Sequence, residues 1–199
     1  MSDSSAPSTL SDDALWEKLR TGDKQALGLL AERHYRALFH YGTKLTTNHA
    51  LIQDCIQDLF LTVWEKQQTI PALHSVKAYL FVSLRNNVLR QVKQNGTSTD
   101  VDSDLVATDW LANPETLYVQ AEHEQSLHES LRQALERLPK RQREAIYLRY
   151  YENLSYEEIA TTMGLSRQVV ANYLQHALHN LRDHWQDLSY ALFLLSFLL

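Results

Sequence analysis

SYEEIATTMGLSRQVVANYLQHALHNLR, residues 155–182, reads as two short helices joined by a tight turn. Ser155 followed three residues later by Glu158 is a capping box: the hydroxyl accepts from a first-turn backbone N–H while the carboxylate accepts from the cap's own N–H. Ile159, Ala160 and Met163 continue an apolar stripe, Gly164 is suited to the left-handed conformation that ends a helix, and Ser166 caps the next one. In that second helix Val169, Val170, Tyr173, Leu174, Ala177, Leu178 and Leu181 repeat at helical spacing and must face a core. Arg167, Gln168, Ala171, Asn172, Gln175 and His176 are left outward, a set with the chemistry to read base edges. Arg pairs with guanine, Asn or Gln with adenine, and a small Ala sits against a thymine methyl. A helical hairpin with a merely solvated polar face has the same local pattern, so the rest of the chain must decide.

The 199 residues are 44% hydrophobic and 22% charged, enough for one large domain or two small ones with cores. Five glycines, four prolines and the lack of alternating runs predict an all-α protein. Cys55 alone excludes a disulfide or thiolate–metal framework, and the nine histidines are scattered without ligand spacing. No nucleophile elbow or phosphate loop is present, so neither catalysis, a cofactor nor a small-molecule substrate is expected. The polar start MSDSSAPSTLSDD shows no signal peptide, and a cytoplasmic location is expected.

A net charge of −5 argues at first against a nucleic-acid partner, but the charges are segregated. From Lys77 to Thr99 the charged residues are Lys77, Arg85, Arg90 and Lys93; from Asp100 to Glu115 they are all acidic. A second basic cluster, Arg137, Lys140, Arg141, Arg143 and Arg149, is diluted only by Glu144. Local potential governs phosphate attraction, because screening at physiological salt acts over ~8 Å.

Residues 1–94 are predicted to form a helical domain. Ser11 caps a first helix, DDALWEKLR, that ends near Gly22; Asp23 caps a second; Asn48 or Thr47 opens a third. The third buries Ile52, Cys55, Ile56, Leu59, Phe60 and Val63 and exposes Gln53, Asp54, Gln57, Asp58 and Glu65. The loop QQTIPALH leads to a fourth helix, Ser75 to about Lys93. Residues 95–114 have the composition of a flexible acidic linker. Residues 115–188 hold a second helical domain, with helices over 127–138 and 141–151 before the helix-turn-helix. An apolar tail, YALFLLSFLL, occupies residues 190–199 at the end of the segment 189–199. Its ten residues fall short of the roughly 20 that cross a bilayer.

The two blocks together resemble an extracytoplasmic-function sigma factor of the sigma-70 family. Asp54, Gln57, Asp58, Phe60 and Trp64 match the family's D-x-x-Q-[ED]-x-F-x-x-x-W signature, and Arg85 with Asn86 matches the R-N of its following helix. Leu138, Pro139, Arg141, Gln142 and Arg143 resemble L-P-x-x-x-R, followed by LRYYENLSYEEIA and Gly164. The resemblance implies promoter-directed initiation by bacterial RNA polymerase. Its partners would be the core enzyme, through the beta-prime clamp and beta, promoter DNA, and an anti-sigma factor, often membrane-bound.

Residue by residue, the resemblance gives Asp54, Gln57, Asp58 and Glu65 to the clamp. Lys77, Arg85, Asn86, Arg90 and Lys93, with the loop Gln67 to His74 as a pocket for a flipped base, go to the melted minus-ten strand. Arg167, Gln168, Ala171, Asn172, Gln175 and His176 would read the minus-thirty-five duplex in the major groove, with Arg141, Arg143 and Arg149 on the DNA backbone. Tyr79 fits either the core stripe or a stacking platform. Arg90 stands where the family often has Asp; Val169 and Ala171 replace a common Thr and Lys. The acidic linker would thread the polymerase cleft or serve as a solubilising tether. The tail would pack on the second domain, join an anti-sigma interface or touch a membrane surface. The competing function is a dimeric helix-turn-helix regulator with a helical sensor domain, binding paired half-sites without polymerase.

Overall fold

The computed structural model describes residues 10–94 and 131–183, which fall in two compact units, Met1–Asp104 and Leu105–Leu199. The acidic linker and the apolar tail lie outside the described residues. Among the described residues every regular element is helical.

Unit 1 contains α1 (Asp12–Arg20), α2 (Lys24–Leu45), α3 (His49–Glu65) and α4 (Val76–Gln94). Each start is set by a short polar side chain satisfying first-turn donors. Ser11 accepts from the Ala14 N–H, Asp23 from Gln25 and Ala26, Asn48 from Leu51, and Ser75 from Ala78. Gly22, at φ 94°, makes the reversal between α1 and α2. Helix α2 packs against the other three helices. Leu15, Trp16 and Leu19 of α1, Leu30, Leu38 and Tyr41 of α2, Ile52, Ile56 and Leu59 of α3, and Leu80, Phe81, Leu84 and Val88 of α4 make the core. The Tyr41 and Phe81 rings meet at 5.1 Å. Gly42 lets α2 and α3 approach closely: a Cβ there would lie 2.4 Å from Ile52 Cγ2.

In unit 2, the described part of α5 (131–136) precedes Pro139, α6 (Lys140–Ile146), α7 (Tyr156–Met163) and α8 (Arg167–Asp183). Leu135 and Leu138 pack with Ala177 and Leu181 of α8. The helix expected over 141–151 begins at Lys140 and widens after Ile146 into a π-turn, Tyr147–Tyr151. Tyr147 and Tyr151 stack at 5.1 Å, and the buried Tyr147 hydroxyl donates to Glu152 Oε1 at 2.7 Å. That buried hydrogen bond supports the wider turn, closed by the Glu152 N–H on the Tyr147 carbonyl.

Candidate nucleic-acid interface

The helix-turn-helix forms as its caps require. The Glu158 N–H donates to Ser155 Oγ at 3.2 Å, and the Ser155 N–H donates to Glu158 Oε2 at 2.7 Å. Gly164 ends α7 in the left-handed conformation, φ 66°, and Ser166 Oγ accepts from the Val169 N–H to open α8. Val170, Leu174, Ala177 and Leu181 anchor α8 inward. Arg167, Gln168, Asn172, Gln175 and His176 are exposed and Ala171 is half-buried, so this face emerges as its spacing predicts.

The groups on that face are not equivalent. Gln168 Nε2 donates to Asn172 Oδ1 at 3.1 Å, which couples the two exposed amides. Arg167 is turned back onto α7: its Nε donates to Glu157, and its guanidinium lies 5.9 Å from the centre of the Tyr156 ring. The Glu157 carboxyl is held below its ordinary value by a backbone hydrogen bond and by Arg167. Arg149 stands 5.4 Å from the same ring and donates to the Leu154 carbonyl at 3.0 Å. Tyr156, absent from the predicted set, thus organises two cations, and only the tertiary turn brings them to it. Arg141 is half-buried, with Nη1 3.7 Å from the buried Glu144 carboxylate. Arg143 corrects the expectation of a phosphate contact: at 6% exposure its guanidinium is inside the fold.

In unit 1, Asp54, Gln57, Asp58 and Glu65 are all exposed on α3. Leu61, four residues after Gln57 and four before Glu65, is 59% exposed among them and gives the acidic face an apolar centre. Asp54 and Asp58 also border a cavity lined by Asn48, Leu51, Cys55 and Gln91. Burial, then Asp58 and Asp54, push the Cys55 thiol up to about 11.

On α4, Asn86, Arg90 and Lys93 are exposed, and Arg90 Nη2 donates to Asn87 Oδ1 at 3.3 Å. Lys77 is half-buried, with Nζ 5.6 Å from the Phe81 ring centre. Arg85 departs from the expected contact set, being 5% exposed. It lies four residues after Phe81 and three before Val88, inside the buried stripe, and that spacing was legible in the sequence. The half-buried Tyr79 ring meets buried Trp16 edge-on at 5.4 Å.

The loop between α3 and α4 turns on the Lys66 carbonyl, which accepts from Thr69 and Ile70, and Ile70 is buried. Gln68, Thr69, Pro71, Ala72 and His74 remain exposed, and the loop leads into the first turn of α4, which carries Lys77. Among the described residues no group of three or more His, Cys, Asp or Glu is placed to hold a metal ion, and no helix is long and apolar enough to cross a membrane.

Residues 30–97 match the family model of sigma-70 region 2, and residues 128–181 that of sigma-70 region 4. The chain is 28% identical over 173 residues to the ECF RNA polymerase sigma factor SigE of Mycolicibacterium smegmatis, covering 82% of this chain and 64% of that protein. It is 26% identical to the ECF sigma factor SigL of Mycobacterium tuberculosis, covering 80% of this chain and 88% of the relative. Among solved structures, the sigma factor RpoE of Bartonella quintana, crystallised with the anti-sigma factor NepR, superimposes with a TM-score of 0.55 at 28% identity, covering 81% of this chain and 94% of that one. CnrH in complex with the cytosolic domain of CnrY gives 0.56 at 21% identity, over 86% and 95%. With two regions of one family matched in order across more than half of its length, the chain belongs to the extracytoplasmic-function group of the sigma-70 family.

Proposed function

We propose that this chain is a promoter-specificity subunit that joins bacterial RNA polymerase core and directs it to start transcription at particular promoters. The observation that carries the reading is the presence, in one chain, of an exposed acidic face on α3 and an amide-rich outward face on α8. The first suits a basic polymerase element and the second a major groove. Residues 1–94 would hold the core and the melted minus-ten strand, and residues 115–188 the minus-thirty-five duplex.

On α3 we assign Asp54, Gln57, Asp58, Leu61 and Glu65 to the polymerase contact. On α4, Asn86, Arg90 and Lys93 take the single strand, with Lys77 at its edge. On α8, Gln168, Asn172, Gln175 and His176 read bases while Arg167 and Arg149 form a cationic clamp around Tyr156. The chain contributes binding, and bond making belongs to the polymerase in the cytoplasm. An anti-sigma factor regulates it; the complex of the Bartonella relative with NepR supports that assignment.

The test is reconstitution. Full-length protein with core polymerase should give transcripts from discrete start sites in a genomic template pool, and core alone should not. Failure to bind core in a pull-down would remove the reading. Footprints on paired half-sites by the protein alone would favour a dimeric regulator.

A further inference from the structure

The loop between α3 and α4 closes its first turn on the Lys66 carbonyl, but the carbonyls of Ile70 and Pro71 are held from outside the loop. Pro71 has no N–H and a fixed φ, and the residue before a proline is driven toward extended backbone, so the Ile70–Pro71 step turns its carbonyls toward outside donors. Both donors come from α1, fifty or more residues earlier. Arg20 Nε donates to the Ile70 carbonyl at 2.9 Å, and Trp16 Nε1 donates to the Pro71 carbonyl at 3.3 Å.

Each donor is itself oriented. Glu17 accepts from Arg20 Nη1 at 2.8 and 3.0 Å, which aims Nε at the loop. Trp16 is 1% exposed and packs edge-on against Tyr79 in the first turn of α4, so one ring touches the loop and the following helix together. Helix α1 is anchored to α2 in turn, because Asp12 accepts from Arg33 and its Oδ2 lies 2.7 Å from His34 Nε2.

We infer that α1 is a positioning element for promoter opening: Trp16 and Arg20, without touching DNA, set the conformation of the 66–75 loop that receives the unpaired minus-ten base. The inference rests on the proposed function. Neither residue belongs to the α4 cation set or to the loop's exposed residues, and their effect passes through two backbone carbonyls. Their loss therefore acts on strand opening and base preference, with core and minus-thirty-five binding spared.

The experiment uses holoenzyme made from the full chain and core polymerase. The probe is a promoter recovered by wild-type transcription of a duplex library with a randomised upstream region. Arg20→Gln, Arg20→Lys and Trp16→Phe are compared for permanganate reactivity of thymines in the opened segment, base preference there, core affinity and thermal stability. Loss of one oriented hydrogen bond predicts about tenfold less opening for Arg20→Gln and Trp16→Phe, relaxed base preference, partial recovery in Arg20→Lys, and core affinity within about twofold. The Arg20 side chain is 31% exposed, so its variants remain informative if Trp16→Phe fails to fold. Wild-type opening and preference in the Arg20 variants would overturn the inference, as would losses of opening, core affinity and stability in parallel. If wild-type holoenzyme selects no promoter, the proposed function falls and takes this inference with it.

Discussion

Gly42→Ala and Gly28→Ala are the same chemical change in the same helix, and the structure predicts opposite signs. Gly28 is exposed in α2, with nothing within 4 Å of an added Cβ. Alanine there removes backbone freedom from the unfolded chain and should stabilise by about 0.5–1 kcal/mol. At Gly42 the Cβ would meet Ile52 Cγ2 at 2.4 Å and Cγ1 at 3.2 Å, about 1 Å inside ordinary contact at the nearer atom. Ile52 is fully buried and β-branched, so its methyl cannot swing into solvent and the α2–α3 pair must part. Overpacking of this kind costs ~1–3 kcal/mol, against which the helix-propensity gain is ~1 kcal/mol. The two variants should therefore differ by about 2 kcal/mol, roughly 10 °C in melting temperature for a unit of this size. Thermal unfolding of the full chain, with hydrogen exchange followed in α2 and α3 peptides, reads the difference. Combining Gly42→Ala with Ile52→Ala should cost less than the two single changes added together. Shifts of the same sign for Gly28→Ala and Gly42→Ala would refute the account of the α2–α3 contact.

Asn172→Ala should lower discrimination at one minus-thirty-five position by about 1–3 kcal/mol, measured by duplex competition with holoenzyme. Arg90→Ala and Lys93→Ala should weaken promoter binding uniformly and reduce the salt slope by about one each, whereas buried Arg85→Ala should chiefly lower melting temperature. Burial pulls the His34 imidazole below 6.5, with Lys77 of α4 and Arg33 of α2 acting in the same direction and Asp12 of α1 opposing. A depressed folded pKa means stability present above 6.5 and lost as pH falls through the folded value, so His34→Gln should flatten the decline in unit 1 melting temperature between pH 7.5 and about 5. Cys55, raised from 9.0 to about 11, should react with iodoacetamide about 100-fold more slowly in the native than in the urea-unfolded protein, because the thiolate is the nucleophile.

The positions of the helices were legible in the sequence because their starts and stops are local. Ser11, Asp23, Asn48 and Ser155 each satisfy donors within three residues, and Gly164 closes α7 with its own backbone. The outward face of α8 follows from the period of its buried residues for the same reason. Period also places Arg85 in the α4 stripe, a reading that its charge obscured until burial was seen.

What only the tertiary structure decided depends on which side-chain partners meet, which caps and helical period do not specify. The widening at 147–151 takes its shape from a buried tyrosine hydroxyl and the glutamate that accepts from it. Arg167 is paired with Glu157 and lies near the Tyr156 ring across the turn, while its side chain stays exposed. Trp16 and Arg20, unremarkable in the linear chain, come to hold a loop 55 and 50 residues away. Sequence alone determined which helices form and which family they serve, because caps and apolar period act within a few residues. Folding decided which polar side chains remain exposed and which are buried or paired, because a side chain's availability depends on what the rest of the chain has already claimed.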